Sequence, residues 1–263
     1  MNLEHAVKAF EQYLDSYDRK DEKIRLKIVH TYGVADCARE IAVRMGLCRE
    51  DCDLAVLIAL LHDIGRFEQI RRFDSFQPDT MDHAAYGAEI LFGERKMIRE
   101  FLENPSFDEL ICTAIERHSS FEIGEINDER SLLHARLIRD ADKLDNCRVK
   151  LEESLEVLLG VSVQEAGESS LSPAVWEACC ERKSVLSSLR ETPADYWASY
   201  VAQYYDVNFP ETFAIMKEKN YIPRIVERIP WNNQDTAEKM RKMEKELEGY
   251  MKESDRRTVW QRK

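Results

Sequence analysis

Four histidines and a few aspartates are the residues of this chain best suited to chemistry. His30, His62, His83 and His118 each sit on or beside the apolar stripe of a separate predicted helix, and Asp142 does the same on another. A buried helix face is a costly place for an unpaired imidazole or carboxylate. Taken singly, each histidine reads as a satisfied core or rim residue. Four helices repeating the feature, with Asp63 and Asp142 added, favour inward-facing ligands that converge on a divalent cation, as in metal sites built inside helical bundles.

The elements that must position these residues are helices nearly throughout, because apolar residues recur at helical rather than alternating spacing. His30, Val34, Cys37, Ala38 and Ile41 form one stripe, with Gly46 as its stop. Leu54, Leu57, Ile58 and Leu61 form a second, which leads to His62-Asp63 and ends near Gly65. A polar, arginine-rich stretch follows. Thr80 or Asp82 then caps a helix carrying His83, Tyr86, Gly87, Ile90 and Leu91. Ile111, Ala114, Ile115 and His118 make a fourth stripe, and Leu133 to Leu144 a fifth that holds Asp140, Asp142 and Asp145. The expected class is all-α.

From about residue 150 the histidines stop. Pro173, Pro193, Pro210, Pro223 and Pro230 cut this half into short helices. The expected division is a core over 1–150 and a helical extension over 151–263. The rings Tyr196, Trp197, Tyr200, Tyr204 and Tyr205 are expected to pack that extension onto the core, and Trp176, Trp231 and Trp260 to serve packing as well. Residues 237–256 carry Met240, Met243, Leu247, Tyr250 and Met251 on one face, an amphipathic helix that docks on its own domain or on a partner.

With 38 basic against 50 acidic residues, the net charge of −12 disfavours generic nucleic-acid or anionic-membrane binding. It leaves room for a small anion held by local cations such as Arg66, Arg71 and Arg72. Leu54–Leu61, the longest apolar stretch, is too short to cross a bilayer, and the first residues lack a signal-peptide core, so cytoplasm is the expected compartment. Seven cysteines without a CxxC pair read mostly as small buried hydrophobes and reduced thiols.

The order His30 … His62-Asp63 … Asp142 resembles the H…HD…D signature of the HD superfamily of metal-dependent phosphohydrolases. LLHDIGRF (60–67) resembles the helix carrying the HD pair, and RDADKLDN (139–146) its closing aspartate motif. DHAAYGAEIL (82–91) and IERHSS (115–120) resemble the extra histidine motifs of subgroups that hold two metals. The resemblance spans about residues 24–150 and implies an HD-domain helical bundle. It implies that His30, His62, Asp63 and Asp142 bind one ion, and that Asp63 bridges to a second held by His83 and His118; the alternative is a single ion with His83 and His118 as substrate contacts. Mn, Fe, Ni, Co, Zn or Mg all suit such nitrogen and oxygen ligands. Two ions acidify a shared water into the nucleophile and clamp a phosphoryl group.

Beyond the ligands, Arg66 stands where family members often carry Lys or Arg and is a candidate phosphate contact. Lys143, directly after Asp142, is the next candidate, and one of Arg66, Arg71 and Arg72 is expected to touch substrate. Asp145 shares a face with Asp142 and could orient a histidine, although a solvated carboxylate is the safer reading for Asp140 and Asp145 alike. His5 reads as surface, and His134 as structural.

The text ERHSSFEIGEIN lacks a GYP motif, and GRFEQIRR lacks an ED pair, which sets aside cyclic-dinucleotide and guanosine-tetraphosphate hydrolysis. The expectation is a phosphomonoesterase or phosphodiesterase acting on a nucleotide or other small phosphorylated metabolite, with a homodimer left open. The alternatives are a di-iron oxygenase using the same ligand set and a non-catalytic nucleotide-sensing domain.

Overall fold

The computed structural model describes residues 1–77 and 79–261, with side chains to residue 253; Trp260 lies outside the described side chains. Among the described residues all regular structure is helical. Two compact units emerge, 1–145 and 146–263.

The first unit contains α1 (Leu3–Leu14), α2 (Glu22–Arg44), α3 (Arg49–Leu61), α4 (Ile64–Phe73), α5 (His83–Phe92), α6 (Ile98–Phe101) and α7 (Asp108–Arg117). It also holds most of α8 (Glu129–Glu152), which runs on across the boundary. The Asp21 carboxylate caps α2 by accepting from the backbone N–H groups of Lys23 and Ile24. Beyond its other end Gly46 takes φ +72°, a left-handed turn that glycine enters without strain. Along α3 every residue from Leu54 to Leu61 is buried, so this helix is the centre of the core rather than an amphipathic face. Helix α2 packs along α3, α4 along α5, and α5 along α7.

The chain does not stop at Gly65. Asp63, at φ −105° and ψ 18°, breaks the helix, and the arginine-rich stretch is itself helix α4. The sequence pattern assigns no helix to that polar stretch, because its charges hide the buried Phe67, Glu68, Gln69 and Ile70. Gly65 serves helix packing instead: a Cβ there would lie 2.2 Å from the His83 carbonyl oxygen and 2.8 Å from the Gly87 nitrogen. Two glycines facing each other let α4 and α5 approach backbone to backbone, which brings Asp63 beside His83.

The second unit contains α9 (Leu155–Leu159), α10 (Val163–Glu168), α11 (Pro173–Cys180), α12 (Pro193–Ala202), α13 (Pro210–Glu218), α14 (Tyr221–Glu227) and α15 (Gln234–Gln261). Pro173, Pro193 and Pro210 each open a helix, where a missing N–H costs nothing. Trp197 is fully buried and donates to the Ile225 carbonyl, and the Cys147 thiol donates to the Tyr204 hydroxyl, both within this unit. Helix α15 buries Met240, Met243, Leu247 and Met251 against its own unit, packing on α13 and α14. Only Cys147 and Cys179 of the seven free cysteines are buried, while Cys48 and Cys180 are exposed, so the expectation of buried cysteines holds for a minority. Among the described residues no helix is long and apolar enough to cross a membrane.

Candidate metal centre

Asp63 stands at the break between α3 and α4 and is 3% exposed. Its two oxygens face different histidines. Oδ2 lies 3.4 Å from His62 Nε2 and 3.9 Å from His30 Nε2. Oδ1 lies 3.3 Å from His83 Nε2 and 3.6 Å from His118 Nε2. Two trios result, His30–His62–Asp63 and Asp63–His83–His118, each with its ligand atoms within 4.8 Å of one another and all of its members buried. Asp142 stands outside both trios, 26% exposed, and joins through His30, whose Nε2 is 3.0 Å from its Oδ1.

Protons fix which way the rings point their lone pairs. His62 Nδ1 donates to the Ala59 carbonyl at 2.6 Å, and His118 Nδ1 to the Ile115 carbonyl at 2.7 Å. Each bond places a proton on Nδ1 and turns Nε2 toward Asp63. His62 Nε2 is buried without a hydrogen-bond partner. His118 Nε2 lies 3.1 Å from His83 Nε2, a pairing in which two lone pairs repel unless a proton or cation stands near. Burial pushes His83 down to about 3, so it is neutral at physiological pH, the state metal ligation requires. Buried nitrogen donors around a carboxylate therefore suit a divalent ion of the borderline kind.

His30 differs. Burial and the nearby Lys27 disfavour its protonated form, but hydrogen bonds to Asp142 and Asp145 outweigh them and raise its pKa. Burial likewise opposes ionisation of Asp63, yet the nearby Lys27 ammonium holds its pKa far below the usual carboxylate range.

Several positioning contacts were not foreseen. Asp145, read as solvated, is buried and lies 2.7 Å from His30 Nδ1. Gly33 makes room for it: a Cβ on Gly33 would sit 2.1 Å from Asp145 Oδ1. Asp140 is fully buried too, so neither flanking aspartate is a surface carboxylate. Lys27, three residues before His30, donates to Asp63 Oδ2 at 2.5 Å. The Arg139 guanidinium donates to the carbonyls of Arg117, His118 and Ser120 and so pins the end of the helix that carries His118.

The arginines separate by helix face. Arg66 turns to the centre, its Nε 3.6 Å from Asp63 Oδ1 and without a hydrogen-bond partner, while its Nη1 is held by Gln69 and the Phe76 carbonyl. Buried Gln69 also donates to the carbonyl of Gln77 and the hydroxyl of Thr80, fastening the loop that leads to His83. Arg71 and Arg72 pair with Glu68 and lie over the rings of Tyr17 and Tyr86. Lys143 is buried on α8. His5 is exposed, and His134 is buried against Asp51.

A helical core whose inward histidines and aspartates gather on one carboxylate defines a class, the helical domain with a candidate metal centre. Residues 28–147 match the family model of the HD domain. No curated protein and no solved structure shows significant similarity to the chain.

Proposed function

We propose that the protein is a metal-dependent phosphohydrolase, a phosphomonoesterase or phosphodiesterase acting on a small phosphorylated metabolite. The observation that carries this reading is the placement of Asp63, with one oxygen toward His30 and His62 and the other toward His83 and His118. In this reading His30, His62, Asp63 and Asp142 hold one divalent ion, and Asp63, His83 and His118 a second. When bound, such ions supply the Lewis acidity that activates water and neutralises phosphoryl charge.

The chain's own residues do the rest. Asp145 fixes the ring of His30, while the Ala59 and Ile115 carbonyls fix those of His62 and His118. Arg66, preset by Gln69, offers its unpartnered Nε to a phosphate oxygen. Lys27, which donates to Asp63 Oδ2, adds positive charge beside the centre. Exposed cations elsewhere do not enter, because Arg71 and Arg72 are committed to Glu68.

Metal analysis of the purified protein, combined with phosphate release under Mn, Ni, Fe, Co, Zn and Mg, tests the reading. Two equivalents of metal and turnover that Asp63→Ala abolishes are expected. Turnover indifferent to Asp63 sinks it, as does substrate-dependent oxygen consumption by the iron-loaded protein without phosphate release.

A further inference from the structure

A cavity beside the centre narrows the substrate class. It is a half-open cleft of about 270 Å³, with Arg66 and His83 in its wall together with Asp82, Glu116, Ser119 and Ser120. That volume falls just under the roughly 300 Å³ at which pockets for drug-sized ligands begin. On this basis, and resting on the phosphohydrolase reading, we propose that the site takes a compact, hydroxyl-rich phosphomonoester, a phosphorylated sugar or polyol, in preference to a nucleotide.

The chemistry of the wall sorts the candidates. Arg66 is the one cation lining the cavity among the described residues, which suits a single phosphate group. Two carboxylates and two hydroxyls line the remainder, and carboxylates are acceptors that hydroxyl groups satisfy by donating. A polyphosphate chain placed there would meet Asp82 and Glu116 as like charges. A nucleobase would want a broad ring to stack on, and among the described residues no Phe, Tyr or Trp lines the cavity; its one ring is the His83 imidazole, a candidate metal ligand, and the remaining wall is Met81. Phe76, whose carbonyl holds Arg66, has one face under the Lys27 ammonium, 5.9 Å from the ring centroid. Asp82 is already anchored, since its Oδ1 accepts from the backbone of Ala84 and Ala85 at the start of α5. Its carboxylate is thus a fixed feature of the wall, one residue from the candidate ligand His83.

The test uses the full-length, Mn-loaded protein with four probes: ribose 5-phosphate, glucose 6-phosphate, adenosine monophosphate and p-nitrophenyl phosphate. The sugar phosphates are expected to show kcat/KM at least about tenfold above adenosine monophosphate, the scale of one hydrogen bond to a charged group. Glu116→Gln, at an exposed position, should lower kcat/KM for ribose 5-phosphate about tenfold more than for p-nitrophenyl phosphate. Calorimetric titration of the non-hydrolysable phosphonate analogue of ribose 5-phosphate should show the same weakening independently of turnover, and Ser119→Ala a smaller one. Preference for adenosine monophosphate, or an equal effect of Glu116→Gln on both esters, overturns the inference and leaves the hydrolase reading standing. Silence on all four probes overturns both.

Discussion

The first unit holds two carboxylate–histidine clusters, and they are built in opposite ways. At Asp51, the Arg130 guanidinium, His134 Nε2 and the Cys48 thiol all converge on the carboxylate, at 2.7, 3.1 and 3.1 Å. Arg130 also pairs with Glu50, so the charges balance locally. Burial opposes ionisation of Asp51, but these bonds bring its pKa down to about 2. At Asp63 the imidazoles of His62 and His118 donate from Nδ1 to backbone carbonyls and turn Nε2 toward the carboxylate. A histidine near an aspartate is thus not what marks a metal centre. The number of converging imidazoles is: one nitrogen meets Asp51 beside a guanidinium and a thiol, whereas four gather on Asp63.

That contrast can be broken most forcefully at the two carboxylates. Asp63→Ala is expected to empty the centre of metal and lower turnover by about a thousandfold or more, since the ions supply several kcal/mol of charge stabilisation. Asp51→Ala should leave metal content at two equivalents, and a loss there would erase the distinction. Elemental analysis of both variants decides. Next in size, Asp145→Asn should weaken metal binding by about 10- to 100-fold by loosening His30. Gly33→Ala should do the same, because the added methyl collides with that carboxylate.

A smaller effect separates the clusters in stability. A carboxyl lowered from 3.8 to about 2 contributes about 2 kcal/mol to the folded state at neutral pH. The sign follows from proton binding. The unfolded chain takes up the proton first, so the contribution is complete above 3.8 and disappears as pH falls toward 2. Urea midpoints of wild type and Asp51→Asn should therefore differ most at neutral pH and converge in acid. Equal gaps at both ends would show that the cluster acts through packing alone. Smallest of all, Arg71→Ala and Arg72→Ala should leave phosphate release within about twofold, as exposed ion pairs contribute little. A large loss would return them to the substrate.

Much of this was legible in the sequence, and the reasons are particular. Helices α2, α3, α5, α7 and α8 announce themselves by periodicity, and Asp82 by its capping position. The six candidate ligands stand out because polar residues on apolar stripes demand partners. Helix α4 was hidden by its surface charges. Lys27 looked like any other lysine of a solvated helix face, since nothing local says that it reaches Asp63, 36 residues on. The pairing of Gly33 with Asp145 is equally invisible, because a gap in one helix acquires meaning only when another helix fills it. Asp145 was suspected but given up to solvent, since a carboxylate's burial is decided by what packs over it.

The bond between His30 and Asp145 spans 115 residues of chain. Synthesis proceeds from the N-terminus, so the imidazoles of His30, His62, His83 and His118 all emerge from the ribosome before their last support does. The centre has no complete form on a nascent chain that ends short of α8. On the proposed reading, metal capture is accordingly a late event, gated by translation of the eighth helix, and nascent chains arrested within α8 before and after Asp145 should differ sharply in the metal they retain.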